Sequence, residues 1–232
     1  MRCPSCQRPV DHEAESCYSC GYSAIESMKR FGSNQVKMRR VHDAADCLRV
    51  KDSEMIERTL NRLEKRFPQL VFAVYLGDLN ETISIGELGF WLLNQVTIEG
   101  AGYAKTNESA VLLVVDVNFK KAGLSLGYFT EMLLGEEDCL RALAAGRSHF
   151  ANGEFGTGVV DLFTKVEKSL IKQAKKMKGL SREEKQSVMM RNHHGPNILK
   201  IPGSVRPFDR HPVPETEQPH LLFRNEFEEN WK

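Results

Sequence analysis

The chain has 232 residues, 41% hydrophobic and 27% charged, with a formal net charge of +1. That is room for one ordinary domain with appendages, and so even a balance excludes a global field drawing the whole molecule to nucleic acid or an acidic membrane. No window approaches the roughly 18 consecutive apolar residues of a membrane span. The first element in chain order is a pair of cysteine hairpins, Cys3-Pro4-Ser5-Cys6 and Cys17-Tyr18-Ser19-Cys20, separated by ten residues. Two Cys-x-x-Cys hairpins at this distance can present four thiolates tetrahedrally to one ion, the requirement of a structural zinc site. The ten residues between them hold no apolar run able to form a core, so metal binding has to supply the folding free energy. Gly21 suits the tight backbone after the second pair. Four sulfur ligands leave no open coordination position, so this zinc is expected to hold structure and perform no chemistry. No apolar leader precedes Cys3, which points to reduced thiols in a cytoplasmic setting and not to disulfides.

The zinc ribbon is expected over residues 1–23, and the polar, basic stretch 24–40 reads as a linker or a short connecting helix. From Val41 to about residue 180 the texture is that of a folded domain. Asp52 or Ser53 can cap a helix whose apolar residues Met55, Ile56, Leu60 and Leu63 recur at helical spacing, and Phe67-Pro68 stops it. The run Leu70 to Leu76 is apolar throughout, as in a strand buried on both faces. A turn at 77–80 leads to a second helix carrying Ile85, Leu88, Gly89, Leu92 and Leu93, ending before Gly100. Val111 to Val117 is the next buried strand, and Leu124 to Leu126 a third, reached through the tight turn 120–123. Helices follow at about 136–150 and 155–178. The order β-α-β-β-α-α predicts an α/β sandwich, a small central sheet covered by helices.

The last helix sets Phe163, Val166, Leu170, Ala174 and Met177 on one stripe and Lys165, Lys168, Lys172, Lys175, Lys176 and Lys178 elsewhere. Such a face is either ordinary solvated lysine or a grip for anionic lipid or RNA. Residues 181–232 read as an extended, largely disordered tail: beyond Asn192 lie six of the nine prolines and no periodicity. Leu221, Leu222, Phe223, Phe227 and Trp231 form an apolar cluster there, able to dock on the domain or to engage a partner. His193-His194 is best read as surface. Cys47 and Cys139 have no ligand-like neighbours and read as small buried hydrophobes.

Taken together, these phrases resemble the TPM domain, a family often labelled a phosphatase domain, over Val41 to about Leu170. The family's opening "n-D-x-a-x-x-L" corresponds to His42-Asp43-Ala44-Ala45-Asp46-Cys47-Leu48. Its second-strand phrase "D-N-G-V-L-L-L-V" corresponds to Glu108 through Val115, and its "E-V-G-Y-G-L-E-G" turn to Ser125 through Met132. Its late "F-x-x-G-x-Y-x-x-G" corresponds to Phe150 through Gly158. The chain departs from the pattern where Glu108 replaces an aspartate, where Ser109 and Ala110 replace a polar residue and a glycine, and where Phe129, Thr130 and Met132 replace the glycines and leucine of the turn. A backbone shaped by glycine at positive φ would resist those last changes. Gly135-Glu136 stands where a Pro-Asp pair is common.

The resemblance implies a calcium or magnesium site and a weak acid phosphatase activity, with Asp43, Glu108 and Glu131 at the matched acidic positions. Hard cations want such oxygen ligands, and one carboxylate could serve as general base. The sequence lacks a Cys-x5-Arg loop, an Asp-x-Asp strand end (Asp116-Val117-Asn118 has one carboxylate) and a phosphate loop. Three functions therefore stand open. The first is a binding, assembly or regulatory module with protein partners at the zinc ribbon or the aromatic tail. The second is a metal-dependent hydrolase of phosphomonoesters. The third is a nucleic-acid accessory protein using Lys29, Arg30, Lys37, Arg39 and Arg40 beside the zinc.

Overall fold

A computed structural model describes residues 3–11, 14–33, 36–99 and 106–178. Its elements are α1 (Ala24–Phe31), β1 (Val36–Met38), β2 (Val41–Asp43), α2 (Val50–Arg66), β3 (Val71–Gly77), α3 (Ile85–Gln95), β4 (Val96–Ile98), α4 (Thr106–Ser109), β5 (Ala110–Asp116), β6 (Lys121–Leu126), α5 (Tyr128–Leu133), α6 (Glu136–Ala151) and α7 (Phe155–Lys178). Four strands form one sheet in the order β2-β3-β5-β6, and β1 pairs with β4 in a separate two-stranded one. β2, β3 and β5 are parallel and β6 is antiparallel to β5. The chain is thus an α/β protein with a small central sheet between helices, as its buried strand runs predict.

Every residue of β3 and β5 is buried. Successive side chains point to opposite faces, so a strand covered on both sides must be apolar at odd and even positions alike. One face carries Phe72, Val74, Leu76, Leu113 and Val115, packed against Ile56, Leu60 and Leu63 of α2 and Phe163, Val166 and Leu170 of α7. The other carries Val71, Ala73, Tyr75, Leu112 and Val114, packed against Leu88, Trp91 and Leu92 of α3. The crossover from β2 to β3 runs through α2, and that from β3 to β5 through α3. Both add a strand in the same direction from opposite faces, so the two crossovers have opposite hands, and one departs from the usual right-handed rule.

Several boundaries differ from expectation. α2 begins at Val50 with Arg49 as N-cap and no side-chain cap; Asp52 sits inside the first turn and pairs with Arg49 at 3.0 Å. α3 ends at Gln95, four residues short of the expected limit, because β-branched Val96, Thr97 and Ile98 leave the helix to pair with Val36, Lys37 and Met38. The stretch read as a linker or a short connecting helix holds such a helix, α1, where the Ser23 side chain caps the Glu26 N–H at 3.2 Å, and also β1. Lys120 turns the β5–β6 hairpin at φ 54°, and β6 is longer than the expected three residues.

Where the resembled pattern has its glycine-rich phrase, this chain forms the helix α5. Its N-cap, Gly127, has φ −70°, and no positive φ occurs among residues 125–132. The backbone therefore asks for no glycine at Phe129 or Thr130. Thr130 is fully buried, and its hydroxyl reaches the carbonyls of Ala110 (2.9 Å) and Gly127 (2.8 Å), tying α5 to the sheet. Residues 181–232, with His193, His194, Leu221, Leu222, Phe223, Phe227 and Trp231, lie outside the described residues.

Candidate metal centre

The two cysteine hairpins have the same local structure. In the first, the Cys3 N–H donates to the Arg8 carbonyl and the Gln7 N–H to the Cys3 carbonyl, both at 2.9 Å. In the second, the Cys17 N–H donates to Tyr22 at 2.8 Å and the Gly21 N–H to Cys17 at 2.7 Å. Both turns pass through a left-handed residue at the same place, Gln7 (φ 60°) and Gly21 (φ 76°). Glycine takes that conformation freely, whereas Gln7 adopts it against its Cβ; only the second of the two turns is marked by a glycine in the sequence.

These turns bring the four thiols together. Cys3 Sγ lies 3.6 Å from Cys20 Sγ, Cys6 Sγ lies 3.7 Å from Cys17 Sγ, and all four ligand atoms fall within 4.8 Å of one another. An ion with sulfur bonds of about 2.3 Å sets tetrahedral sulfurs about 3.8 Å apart, so the group fits one metal ion. Among the described residues it is the one cluster of three or more His, Cys, Asp or Glu side chains with that property.

The knuckles are seated on α3. A Cβ at Gly86 would run into the Pro4 carbonyl oxygen, so the first knuckle presses directly on the helix backbone. Ser84 Oγ donates to that same oxygen at 3.5 Å. Tyr22 meets Phe90 edge-on at 6.3 Å, Arg30 Nη1 reaches Glu87 at 2.8 Å, and Trp91 Nε1 donates to the Gly32 carbonyl at 2.8 Å. The α3 sequence Gly86-Glu87-x-x-Phe90-Trp91 thus supplies a small residue for close approach, a charge partner and two aromatic anchors. None was marked as functional by its spacing, since each reads as an ordinary helix position until the knuckle is placed against it.

The three acidic residues matched to the family do not converge. Asp43 ends β2, in register with Leu76 and through it with Val115, at the carboxyl ends of the parallel strands. Glu108 sits on α4 before β5, and Glu131 on α5, which follows β6 where Leu126 pairs with Val111. Both lie at the opposite end of the sheet; the five steps from Ala110 to Val115 alone span about 16 Å. Asp43 accepts the N–H groups of Cys47 (3.2 Å) and Leu48 (2.7 Å), shaping the loop after β2. Glu108 is exposed. Burial pushes the Glu131 carboxyl up to about 7.

Asp116, which the sequence offered only as half of a missing motif, also stands at the carboxyl end, separated from Asp43 by β3. Asp116 is 2% exposed and accepts the N–H groups of Asn118 (3.1 Å) and Phe119 (3.2 Å), so it too shapes a turn. Burial, with Asp43 second, holds the Cys47 thiol up at about 12, and burial also raises Cys139 to about 12. Neither is an activated nucleophile, as their reading as packed hydrophobes requires. Of the basic residues near the knuckles, Lys29 pairs with Glu26 at 3.1 Å, Arg30 with Glu87, and Arg40 with Glu57 and Glu64.

The family model of the TPM domain matches residues 41–169. The chain belongs to the TPM-domain family. No curated protein matches the sequence. Among solved structures it is similar to the N-terminal domain of a Corynebacterium glutamicum protein (12% identity, TM-score 0.45, 56% of this chain and 79% of that one). It is similar also to the N-terminal domain of a P. gingivalis protein (21%, 0.43, 57% and 82%) and to the BA42 protein of the psychrophilic bacterium Bizionia argentinensis (17%, 0.45, 56% and 85%). In this TPM-domain protein the matched segment begins at 41, so the cysteine knuckles, α1 and β1 precede it. No helix among the described residues is long and apolar enough to cross a membrane.

Proposed function

We propose that this TPM-domain protein is a binding or assembly module stapled by one structural zinc ion, with little or no catalysis of its own. The observation that carries the reading is the separation of the acidic residues: Asp43 stands at one end of the sheet, Glu108 and Glu131 at the other. A cation-assisted hydrolysis needs its oxygen ligands around one ion and its base within hydrogen-bond reach of a water. Asp43 and Asp116 already serve backbone N–H groups.

Zinc is the ion the donor set favours, since four thiolates in tetrahedral array suit it and close its coordination sphere. Cys3, Cys6, Cys17 and Cys20 would hold it, and the bound ion would supply the free energy that the short knuckles lack. The free thiols require a reducing compartment, in keeping with a cytoplasmic protein. Tyr18, at the tip of the second knuckle and 78% exposed, and Ile25, 42% exposed on α1, are the apolar groups this side offers to a protein partner.

The test is phosphomonoester hydrolysis from pH 4 to 8 by zinc-loaded protein with calcium, magnesium or chelator, alongside Glu131→Ala. The reading predicts turnover at background throughout. Saturable, cation-dependent turnover that disappears in Glu131→Ala would replace it with a hydrolase.

A further inference from the structure

The strongest charge feature outside the metal centre is α7. Lys165, Lys168, Lys172, Lys175 and Lys176 are all exposed. At 3.6 residues per turn they fall within about 100° of arc and run along about 16 Å of helix. None makes an ion pair among the described residues. Among the described residues, the acids on and beside α7 are engaged elsewhere. Glu167, on the flank of α7, is held by Arg62 (3.3 Å) and Arg66 (3.2 Å) of α2. Asp138, across from α7 on α6, binds Arg141 and the Ser169 hydroxyl, and Glu137 binds Arg141. Asp161 faces His149. In a chain of net charge +1, five cations on one helical stripe, with no ion-pair partner among the described residues, mark a segregated surface.

We infer that this stripe is a docking surface for the phosphate backbone of double-stranded nucleic acid, bound without sequence readout. The chemistry of the patch selects that partner. The apolar side of α7 (Phe163, Val166, Leu170) is buried in the core and cannot enter a bilayer. The large hydrophobic side chains left exposed among the described residues are Tyr18, Ile25, Val50 and Leu140, none of them on α7. The stripe therefore lacks both the apolar centre of a protein interface and the aromatic platform that stacks single-stranded bases. Lysines act as point charges toward phosphate, and a duplex offers about one phosphate per 1.7 Å along its axis. This surface lies on the opposite face of the sheet from the knuckles and involves none of the basic residues near them.

Titration of the full-length, zinc-loaded protein with a 24-base-pair duplex, as DNA and as RNA, at 50 to 200 mM salt tests the inference. Neutralising four to five phosphates predicts a slope of log affinity on log salt of about −4, a fall of about 250-fold over that range. The variant Lys168→Ala/Lys172→Ala/Lys175→Ala/Lys176→Ala, whose fold is checked by circular dichroism, should lose most of the slope, and the corresponding Lys→Arg variant should keep it. Binding of neither duplex at 50 mM salt, binding that the alanine variant leaves unchanged, or binding only to vesicles of phosphatidylcholine and phosphatidylserine (3:1) would each overturn it.

Discussion

The two faces of the four-stranded sheet are covered by different means. On the α2–α7 side the cover is made of long helices whose apolar stripes pack into one continuous core, from Ile56 and Leu60 to Phe163 and Leu170. On the α3 side a single helix of 11 residues lies over the strands, and its own outer surface is covered by α1, β1 and the cysteine knuckles. The first face adds to that core the pairing of Glu167 on α7 with Arg62 and Arg66 of α2. The second is completed by the cysteine-knuckle segment, whose small cluster of Cys3, Val10, Cys17, Tyr22 and Ala24 meets Phe90 of α3, and on the proposed reading a metal ion holds that segment in place. On that reading one sheet combines a layer of long packed helices with a metal-dependent one, and the metal ligands sit outside the family-matched segment.

The largest expected effect comes from breaking the metal-dependent side at its source. Chelation, or Cys3→Ser, removes a metal contribution on the order of 10 kcal/mol to the knuckles. Trp91 is buried between Phe31 and the Gly32 carbonyl, so its fluorescence in a Trp231→Phe background should shift to the red. The α2–α7 side should stay folded under the same treatment. Phe163→Ala attacks that other side and should cost about 3–5 kcal/mol, read by chemical denaturation. It leaves metal content unchanged, since Phe163 packs on Phe72 and not on the knuckle side.

Gly86→Ala separates docking from metal binding. The added methyl meets the Pro4 carbonyl, and an overpacked contact of this kind costs about 1–3 kcal/mol. The expected result is a zinc-loaded knuckle with the Trp91 shift of the metal-free protein. The smallest effect is the pH response of Glu131. Its folded pKa of about 7 lies above the unfolded value, so ionisation opposes folding above pH 7 and the penalty disappears as pH falls toward 4.5. Glu131→Gln should therefore raise Tm by a few degrees at pH 8, at about 2–4 °C per kcal/mol, and leave it unchanged at pH 4.5.

The legibility of the sequence followed the same division. β3, β5, α6 and α7 could be read because a strand buried on both faces and a helix with one apolar stripe leave unmistakable periodicity. The four cysteines could be read because metal ligation fixes their spacing. β1, β2 and β4 could not, being only three residues each and defined by their partners. The seating of the knuckles on α3 was hidden for the same reason: Gly86, Phe90 and Trp91 carry no local signal, and their role exists only across the interface. The acidic residues were matched by position along the chain, and such a match does not say at which end of a sheet a residue falls. The glycine substitutions at Phe129 and Thr130 looked like damage, yet α5 uses Thr130 as a tie to Ala110.

Hydrogen exchange followed by mass spectrometry, with and without stoichiometric zinc, tests the central claim most directly, namely that the metal holds the outer cover of α3. The account predicts that removing zinc accelerates exchange in the knuckles, α1 and α3, while β3, β5, α2 and α7 keep their protection. Unchanged protection of α1 and α3 in the metal-free protein, or a loss spread equally over both faces, would contradict it.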